Sequence, residues 1–448
     1  MEVSVVSVEI IRPSSSHVHH LKPFNLCLLD QLIPNTYTPF IFFYNTKNFH
    51  LNTTQITAQL KWSLSNTLNL YYPLSGRVKD NLIIDNFDAG VPCFEARVKG
   101  HLSDFLRHPP IEMLNWFLPY QNFYGQLDRT IPQLAVQVNV FDCGSIAIGL
   151  CFGHKIMDGI TTSAFLKTWA ANSSSEYKNL IQPNIMEASS MFPPQKSLPS
   201  HYTSLMDGIW FGERRCKTRR FVFDANAVAA LRTKGRSEFV ENPSRVQALT
   251  AFIWKCTMNA CNRISGSSLR PSVMIQSVNI RRLTKPPMSR YSMGNLVLQS
   301  YARYNPDGRE MEMKKLVSLL KESVGKINSE YVKTMTGDEG CAAILRDTDE
   351  LVEASRENNP HVFTCASWNS LGTSEIDFGW GEPVWIGVFG EMSLDSNDVI
   401  LIDMGRRRSN AFEAWITLEK TTMDVFEYDP EFLNFANSFE NEEFLSRI

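Results

Sequence analysis

A chain of 448 residues is too long for one simple hydrophobic core, so its length predicts two domains of comparable size. Hydrophobic residues make up 43% of the chain and charged residues 20%, a balance that excludes a disordered or fibrous protein. The formal net charge of −3 gives no reason to expect nucleic acid or an anionic membrane as a partner.

Predicted strands and helices interleave through the N-terminal part of the chain. Residues 3–11 alternate like a strand, and residues 55–68 carry apolar side chains at helical spacing. Two further predicted strands, over residues 134–141 and 146–152, are joined by a short turn sequence. A helix is then expected over residues 160–171.

Periodicity is lost between residues 184 and 213, where prolines and serines accumulate. This pattern predicts a crossover linker between an N-terminal domain of residues 1–183 and a C-terminal domain of residues 214–448. The second domain again predicts both kinds of element: a strand over residues 220–223 and helices over residues 244–262 and 311–328. The expected fold class is α/β, with two similar-sized mixed sheet-and-helix domains.

The cysteines and the hydropathy pattern indicate where the protein resides. Nine cysteines are scattered singly without a CxxC pair, so we expect neither a disulfide framework nor a structural zinc site. The N-terminus lacks the basic region and longer apolar core of a signal peptide, and no run of about 18 apolar residues predicts a membrane span. We therefore expect a cytoplasmic protein without a metal, and a monomer by default.

Two arginine clusters stand out against the balanced charge. They are Arg214 and Arg215 with Arg219 and Arg220, and Arg406, Arg407 and Arg408. Each cluster fits a solvated basic edge, and each also fits the docking of an anionic ligand tail.

A histidine follows the second of the paired strands. His154 stands four residues before Asp158, and Gly153 and Gly159 flank the motif, where glycine lets the backbone turn sharply and approach a ligand. Imidazole titrates close to neutrality, so His154 can take and return a proton at working pH. No other histidine of the nine in the chain repeats this spacing. For the motif taken alone, a satisfied interior histidine is the alternative interpretation.

Motifs for several other chemistries are absent from the sequence. There is no G-x-S-x-G, no P-loop G-x-x-x-x-G-K-[ST], no HExxH and no G-x-G-x-x-G that opens a helix. A histidine base without a protein nucleophile beside it fits direct transfer better than a covalent enzyme intermediate.

A second unusual segment lies far downstream. Asp377, Phe378, Gly379, Trp380 and Gly381 form an aromatic–glycine cluster that neither helix nor strand periodicity explains. In this order, the segments at His154 and Asp377 resemble the two signatures of the BAHD acyltransferases, plant enzymes that move an acyl group from coenzyme A to an alcohol or amine. Further stretches resemble family blocks in family order: residues 72–77, 244–255, 279–281, 286–287 and 294–295. The similarity covers essentially the whole chain and points to the plant alkaloid O-acetyltransferases.

The resemblance implies a two-domain fold with a tunnel between the domains. An acyl-CoA donor, most simply acetyl-CoA, enters from one face as a co-substrate, and a small-molecule alcohol enters from the other. His154 acts as the general base, and a tetrahedral intermediate forms and collapses. Trp368 matches the tryptophan upstream of the second signature, and its indole N–H is suited to the developing oxyanion. A plain core position is the alternative for Trp368.

The resemblance also implies supporting roles. In the family the aspartate matching Asp158 turns away from the histidine and pairs with an arginine, for which Arg281 in the block that begins at Asn279 is the match. We favour this pairing over a proton relay from Asp158 to His154. Asp377 is essential by motif, and with Gly379, Trp380 and Gly381 it is expected to have a structural role in a tightly packed loop away from the acceptor. Gly159 is expected to support the histidine loop.

The chain departs from the family pattern just before the second signature. Asn369 and Ser370 stand where relatives often carry Cys or Val followed by Arg, and Ser374 stands where an aromatic residue is common. The missing guanidinium removes a cation close to the expected path of substrate or coenzyme A. This change affects the expected donor and acceptor preference more than the expected fold.

Three interpretations of function follow. The leading one is transfer of acetyl from acetyl-CoA to a hydroxyl of an alkaloid or terpenoid alcohol. The second keeps the fold but uses an aromatic, malonyl or longer acyl-CoA donor. The third is a catalytically silent homologue that binds small molecules or partners. None of the three requires a metal or a permanently bound cofactor.

Overall fold

Two large β-sheets and the helices packed on them make up the fold. The computed structural model describes residues 1–46, 52–121, 123, 131–174, 180–198, 202, 215–266, 270–337, 339–369, 371–390, 397–405 and 409–438. In chain order the strands are β1 (Glu2–Ile11), β2 (Phe24–Asn25), β3 (Tyr37–Tyr44), β4 (Arg77–Lys79), β5 (Ile83–Asp85), β6 (Val91–Lys99), β7 (Leu134–Phe141), β8 (Ile146–Gly153), β9 (Cys216–Phe223), β10 (Ser272–Asn279), β11 (Val297–Tyr304), β12 (His361–Ser367), β13 (Trp385–Gly387), β14 (Asn397–Asp403), β15 (Phe412–Glu419) and β16 (Asn437–Ser438). The helices are α1 (Leu28–Leu32), α2 (Thr53–Thr67), α3 (Leu102–Arg107), α4 (Gly159–Ser173), α5 (Glu187–Met191), α6 (Ala225–Lys234), α7 (Arg245–Ser265), α8 (Met313–Lys326), α9 (Ser329–Lys333), α10 (Gly340–Arg356), α11 (Lys420–Phe426) and α12 (Pro430–Leu433).

The first sheet has six strands in the order β1-β6-β7-β8-β3-β13. Only the β6–β7 pair within it is parallel, and the other neighbours run antiparallel. Its last strand, β13, comes from late in the chain and pairs with β3, so that Trp385 lies opposite Phe43 and Gly387 opposite Ile41. The sheet is therefore completed by a segment that crosses over from the second half of the sequence.

The second sheet has seven strands in the order β11-β10-β12-β14-β15-β9-β16. The central neighbours β10, β12 and β14 are parallel to one another, and the outer pairs are antiparallel. A small three-stranded sheet, in the order β2-β5-β4, accompanies the first sheet. The α/β class is as predicted, with one large sheet for each domain.

Tryptophans anchor one helix of each domain. Trp169 of α4 is fully buried, and its indole N–H donates to the Leu60 carbonyl (3.2 Å) and the Ser63 hydroxyl (3.0 Å) of α2. Trp254 of α7 is equally buried and donates to the Ser272 hydroxyl at 3.1 Å. Burying a large aromatic side chain stabilises a fold strongly, and a partner for the indole N–H avoids the cost of an unpaired donor.

The predicted elements are present with small changes of bounds. Ser244 is the N-cap of α7 and forms a capping box with Gln247, which satisfies two backbone donors at the start of the helix. The helix expected to start after Gly159 begins at Gly159 itself, because Asp158 is its N-cap and accepts from the Thr161 amide at 2.8 Å. The strand predicted over residues 220–223 is the longer β9.

The predicted linker of residues 184–213 contains the short helix α5, and residues 199–201 and 203–214 lie outside the described ranges. The domain boundaries at 183 and 214 stay a prediction. Of the arginine clusters, Arg214 and residues 406–408 also lie outside those ranges. Arg219 and Arg220 are instead paired with glutamates, and Arg220 is buried, so these two arginines do not form a free basic edge.

Candidate active site

A cavity of about 200 Å³ lies between the two sheets. Its first wall comes from the start of β3 and from the chain around the end of β8, and its second wall from β10, β11, β12 and β14. The lining of the first wall includes Thr36, Phe40, His154 and Gly159. The lining of the second wall includes Ser277, Gln299, Trp368, Asp398 and Ile400. The cavity therefore brings His154 and Trp368 together from opposite halves of the chain.

The hydrogen bonds of Asn295 fix the tautomer of the neutral His154 ring. The Asn295 Nδ2 donates to the carbonyls of His154 (2.8 Å) and Lys155 (3.0 Å), which can only accept. The Asn295 Oδ1 therefore faces the His154 Nδ1 at 3.0 Å and can only accept from it. In the neutral imidazole the proton thus sits on Nδ1, and Nε2 keeps its lone pair.

Asn295 is itself held by a buried carboxyl. Asp30 of α1 accepts from the Asn295 backbone amide at 2.7 Å and from its Nδ2 at 3.0 Å. Burial raises the pKa of Asp30, and hydrogen bonds from Asn295 and Cys27 oppose part of that rise. Asp30, Asn295 and His154 thus form one chain of hydrogen bonds, in which the last member lines the cavity.

We expect Asn295→Ala to lower kcat about 10- to 100-fold, the range typical of partners that orient a functional histidine. Without the amide, the imidazole loses both its fixed tautomer and its orientation, whereas the donor site is untouched. Steady-state kinetics should show the loss in kcat with little change in KM for the acyl donor. Asn139→Ala, which removes a buried asparagine of β7, is the matched control and should reduce thermal stability without a selective loss of kcat. An unchanged kcat in Asn295→Ala would refute this role.

Asp158 turns away from His154 and forms a buried pair with Arg281. The Arg281 Nη1 donates to Asp158 Oδ2 at 2.7 Å and its Nη2 to Oδ1 at 3.1 Å, with 1% and 3% of the two side chains exposed. Arg281 also donates to the carbonyls of Ser292 and Gly294. The pair thus joins the start of α4 to the loop that carries Asn295.

Asn279 and Gly159 support this arrangement from either side. The Asn279 Oδ1 accepts from the backbone amide of Arg281 at 3.1 Å and from its guanidinium at 3.3 Å. At Gly159 a Cβ atom would lie 3.2 Å from a methyl carbon of Leu371, closer than ordinary van der Waals contact. Both residues lie beside the Asp158–Arg281 pair, and their supporting roles stay a prediction.

Trp368 separates the cavity from a second, polar pocket. Its ring stacks on Phe40 with centroids 4.4 Å apart, and its backbone amide donates to the Leu401 carbonyl at 2.8 Å. The second pocket has a volume of about 350 Å³, and its lining includes Trp368, Arg245, Asn369, Ser374, Asp403 and Asn410. The guanidinium of Arg245, at the start of α7, donates to the Asn369 side chain at 3.3 Å. Asn369 precedes position 370, where relatives often carry an arginine. Ser370 lies outside the described residues.

The aromatic–glycine segment does not line the cavity. The Asp377 Oδ1 accepts from the amides of Gly379 (2.7 Å) and Gly381 (2.8 Å), and both glycines have positive φ, 104° and 95°. Phe378 and Trp380 are buried in the core of the first domain. The carboxylate of Asp377 closes a turn that only glycine adopts readily, and it does so away from His154.

Three features of this site were not predicted from the sequence. Asp30 accepts from Asn295, which lies 265 residues further along the chain. Asn295 in turn contacts His154, which lies 141 residues before it. Asp398 lines the cavity within an ordinary strand sequence. A G-N pair at Gly294 and Asn295 was the one available signal, and it did not indicate contact with the histidine.

No group of three or more His, Cys, Asp or Glu side chains among the described residues could hold a metal ion. No helix among those residues is long and apolar enough to cross a bilayer.

Comparison with known proteins places the chain in a family. A family model described as "Transferase family" matches residues 1–433. Limonoid 7-O-acetyltransferase of Citrus sinensis is 38% identical over 462 residues, which cover 97% of this chain and 98% of the relative. Stemmadenine O-acetyltransferase of Catharanthus roseus is 34% identical over 435 residues, which cover 96% and 97%. The crystal structure of vinorine synthase matches with a TM-score of 0.82 at 30% identity and covers 98% of this chain and 99% of that one.

These matches extend over nearly the whole chain and agree with the observed architecture. The vinorine synthase match confirms the predicted two-domain α/β fold, and the relatives are named as O-acetyltransferases. The chain belongs to the Transferase family of BAHD acyltransferases and is an acyltransferase of that family.

Proposed function

We propose that this acyltransferase moves an acetyl group from acetyl-CoA to a hydroxyl group of a plant specialised metabolite, an alkaloid or terpenoid alcohol. The observation that carries the proposal is His154 in a cavity between the domains, with its Nδ1 3.0 Å from the Asn295 Oδ1. The names of the relatives support acetyl as the acyl group, and they cover a limonoid and an alkaloid acceptor.

In the proposed reaction His154 Nε2 takes the proton of the acceptor hydroxyl as its oxygen attacks the thioester carbonyl. A C–O bond forms, and the carbonyl becomes an oxyanion in a tetrahedral intermediate. Collapse breaks the C–S bond, releases the ester, and gives coenzyme A thiolate, which takes the proton from the imidazolium directly or through water. Asn295 accepts from Nδ1–H throughout and so keeps the imidazolium oriented.

Trp368 is the proposed donor to the oxyanion. Its indole can only donate, and its ring lines the cavity that also contains His154. Stacking on Phe40 at 4.4 Å holds the ring plane in place. A rigid donor of this kind stabilises developing negative charge without reorganising.

We propose that coenzyme A approaches from the polar pocket beyond Trp368. Arg245 at the N-terminus of the 21-residue helix α7 lines that pocket and pairs there with Asp403 at 3.5 Å, so a coenzyme A phosphate would compete with this carboxylate for the guanidinium. The acceptor then occupies the other end of the cavity. No permanently bound cofactor is part of this scheme.

The charge of the cavity bears on the choice of acyl donor. Its described lining contains no lysine or arginine, and its carboxyl group is that of Asp398. A malonyl group would bring a second carboxylate into this surrounding without a cation to pair with it, which is costly. A small neutral acyl group such as acetyl fits the lining better.

The cytoplasmic location and the monomeric state stay predictions.

The proposal is tested by incubating the protein with acetyl-CoA and a mixed panel of alkaloid and terpenoid alcohols. Release of free thiol together with a product heavier by one acetyl group is the expected result, because direct transfer couples the two. Malonyl-CoA and benzoyl-CoA in parallel reactions serve as donor controls. A folded protein that gives no acyl product with any donor would contradict the proposal and favour a catalytically silent homologue. The intact contact between Asn295 and His154 argues against that alternative.

A further inference from the structure

The second wall of the cavity carries a carboxyl group that the proposed reaction does not use. Asp398 lies on β14, directly opposite Thr364 of the neighbouring strand β12. The Thr364 hydroxyl, on a side chain 3% exposed, donates to Asp398 Oδ1 at 2.5 Å. One carboxyl oxygen is therefore anchored to the sheet, and the residue lines the cavity.

The described surroundings contain hydrogen-bond donors to Asp398 but no cation paired with it. Among the described residues no lysine, arginine or histidine forms an ion pair with it, and most of the cavity lining is apolar. Burial raises the pKa of Asp398 to about 6, and the Thr364 hydrogen bond opposes part of that rise. At neutral pH the group is thus mostly ionised at a cost in stability, which a bound cation would offset.

The position of Asp398 along β14 places this residue at the acceptor end of the cavity. Asp403, at the far end of the strand, lines the polar pocket beyond Trp368, and Ile400 lines the cavity between the two. Asp398 and Asp403 are five positions apart on the extended strand, about 17 Å at the usual rise per residue. The carboxyl group therefore lies away from the pocket through which the coenzyme is proposed to approach.

Building on the proposed acetyl transfer, we infer that Asp398 binds a protonated amine of the acceptor, so that the enzyme selects amino alcohols over neutral alcohols. His154 and Asp398 stand on opposite walls of one cavity, and an acceptor bound between them presents its hydroxyl to the histidine and its ammonium group to the aspartate. A polycyclic alkaloid alcohol has both groups on one rigid skeleton, whereas a neutral terpenoid alcohol lacks the cation. The ammonium group supplies the counter-charge that the described protein residues do not.

The test is a competition between matched acceptors. Polycyclic and bicyclic amino alcohols, including yohimbine and lupinine, are each mixed with the lactam of the same skeleton, whose nitrogen does not take a proton, and with neutral triterpenoid alcohols. With acetyl-CoA at neutral pH, mass spectrometry of initial products gives the ratio of acetylated amine to acetylated lactam. We expect wild type to favour the amine by at least about 10-fold, the scale of a hydrogen bond to a charged group.

Variants identify the carboxyl group responsible. Asp398→Asn keeps the shape and can still accept from Thr364, and it should bring the ratio of acetylated amine to acetylated lactam close to one. Asp347→Asn is the matched control, because burial also raises the pKa of Asp347 but the residue lies on α10 outside the cavity, hydrogen-bonded to Tyr331. Its product ratio should equal that of wild type.

The outcomes separate the two levels of the argument. Transfer to lactams or triterpenoid alcohols at least as fast as to the amines, or an amine preference that survives Asp398→Asn, overturns the role of Asp398 and leaves the acetyl transfer standing. Absence of transfer to every member of the panel overturns both. Circular dichroism and thermal denaturation of each variant show whether a changed ratio comes from a folded enzyme.

Discussion

His154→Ala is expected to lower acetyl transfer by about 100- to 10,000-fold, the usual contribution of a general base. The neutral imidazole is set with its proton on Nδ1 and a lone pair on Nε2, so removing the ring removes the group that takes the hydroxyl proton. Alanine creates no unpaired charge, and the His154 backbone contacts, which include an amide donating to Thr36 at 2.8 Å, persist. Initial rates of thiol release with a fixed acceptor measure the effect.

His108→Ala is the matched control for this experiment. His108 is an exposed histidine at the C-terminal end of α3 and does not line the cavity, so its rate should equal that of wild type. Thermal denaturation of both variants tests folding. If His154→Ala kept more than about a tenth of the wild-type rate, the role of His154 as the general base would be refuted.

Arg281→Ala is expected to lower the free energy of unfolding by about 3–5 kcal/mol, the usual cost of breaking a buried ion pair from one side. It leaves the Asp158 carboxylate buried without its cation, and it frees the carbonyls of Ser292 and Gly294 as well. The start of α4 and the loop of Asn295 then lose their common partner. Urea denaturation followed by tryptophan fluorescence measures the change.

A double variant and a surface variant complete this test. Asp158→Ala combined with Arg281→Ala removes both charges, so its cost should be smaller than the sum of the single costs. Lys79→Ala breaks the solvent-exposed pair with Asp85 and should cost less than about 1 kcal/mol. The two single variants each remove one partner of the same pair, so per folded molecule they should lose activity to a similar extent. A proton relay would instead make Asp158→Ala far less active than Arg281→Ala per folded molecule, and that result would contradict the structural role.

Much of the fold could be predicted because its strands and helices carry strong local patterns. The alternation at β1, the paired strands β7 and β8, and the capping sequence at Ser244 are all determined by neighbouring residues. Strand order is not determined locally. No pattern within residues 385–387 shows that they complete the first sheet, because that pairing depends on Phe42 and Phe43, far away in the chain.

The candidate site divides in the same way. Motif spacing together with the family resemblance made His154 the candidate base, and the resemblance predicted the pairing of Asp158 with Arg281, which the structure contains. The roles of Asn295 and Asp398 were not predicted, because they depend on which side chains face these residues across the fold. An aspartate in the strand sequence Asn397–Asp403 shows nothing unusual until the opposite wall of the cavity is in place.

The crossover strand β13 ties the two halves of the molecule together mechanically. From Ile376 to Ile386 the chain contributes side chains to the hydrophobic core of the first domain, and β13 hydrogen-bonds to β3. Pulling the sheets apart would therefore strip an edge strand from the first sheet and expose its core. We therefore expect substrates to reach His154 through a permanently open channel rather than through a hinge motion that separates the two sheets. Chimeras between relatives would have to exchange residues 376–387 together with the N-terminal half.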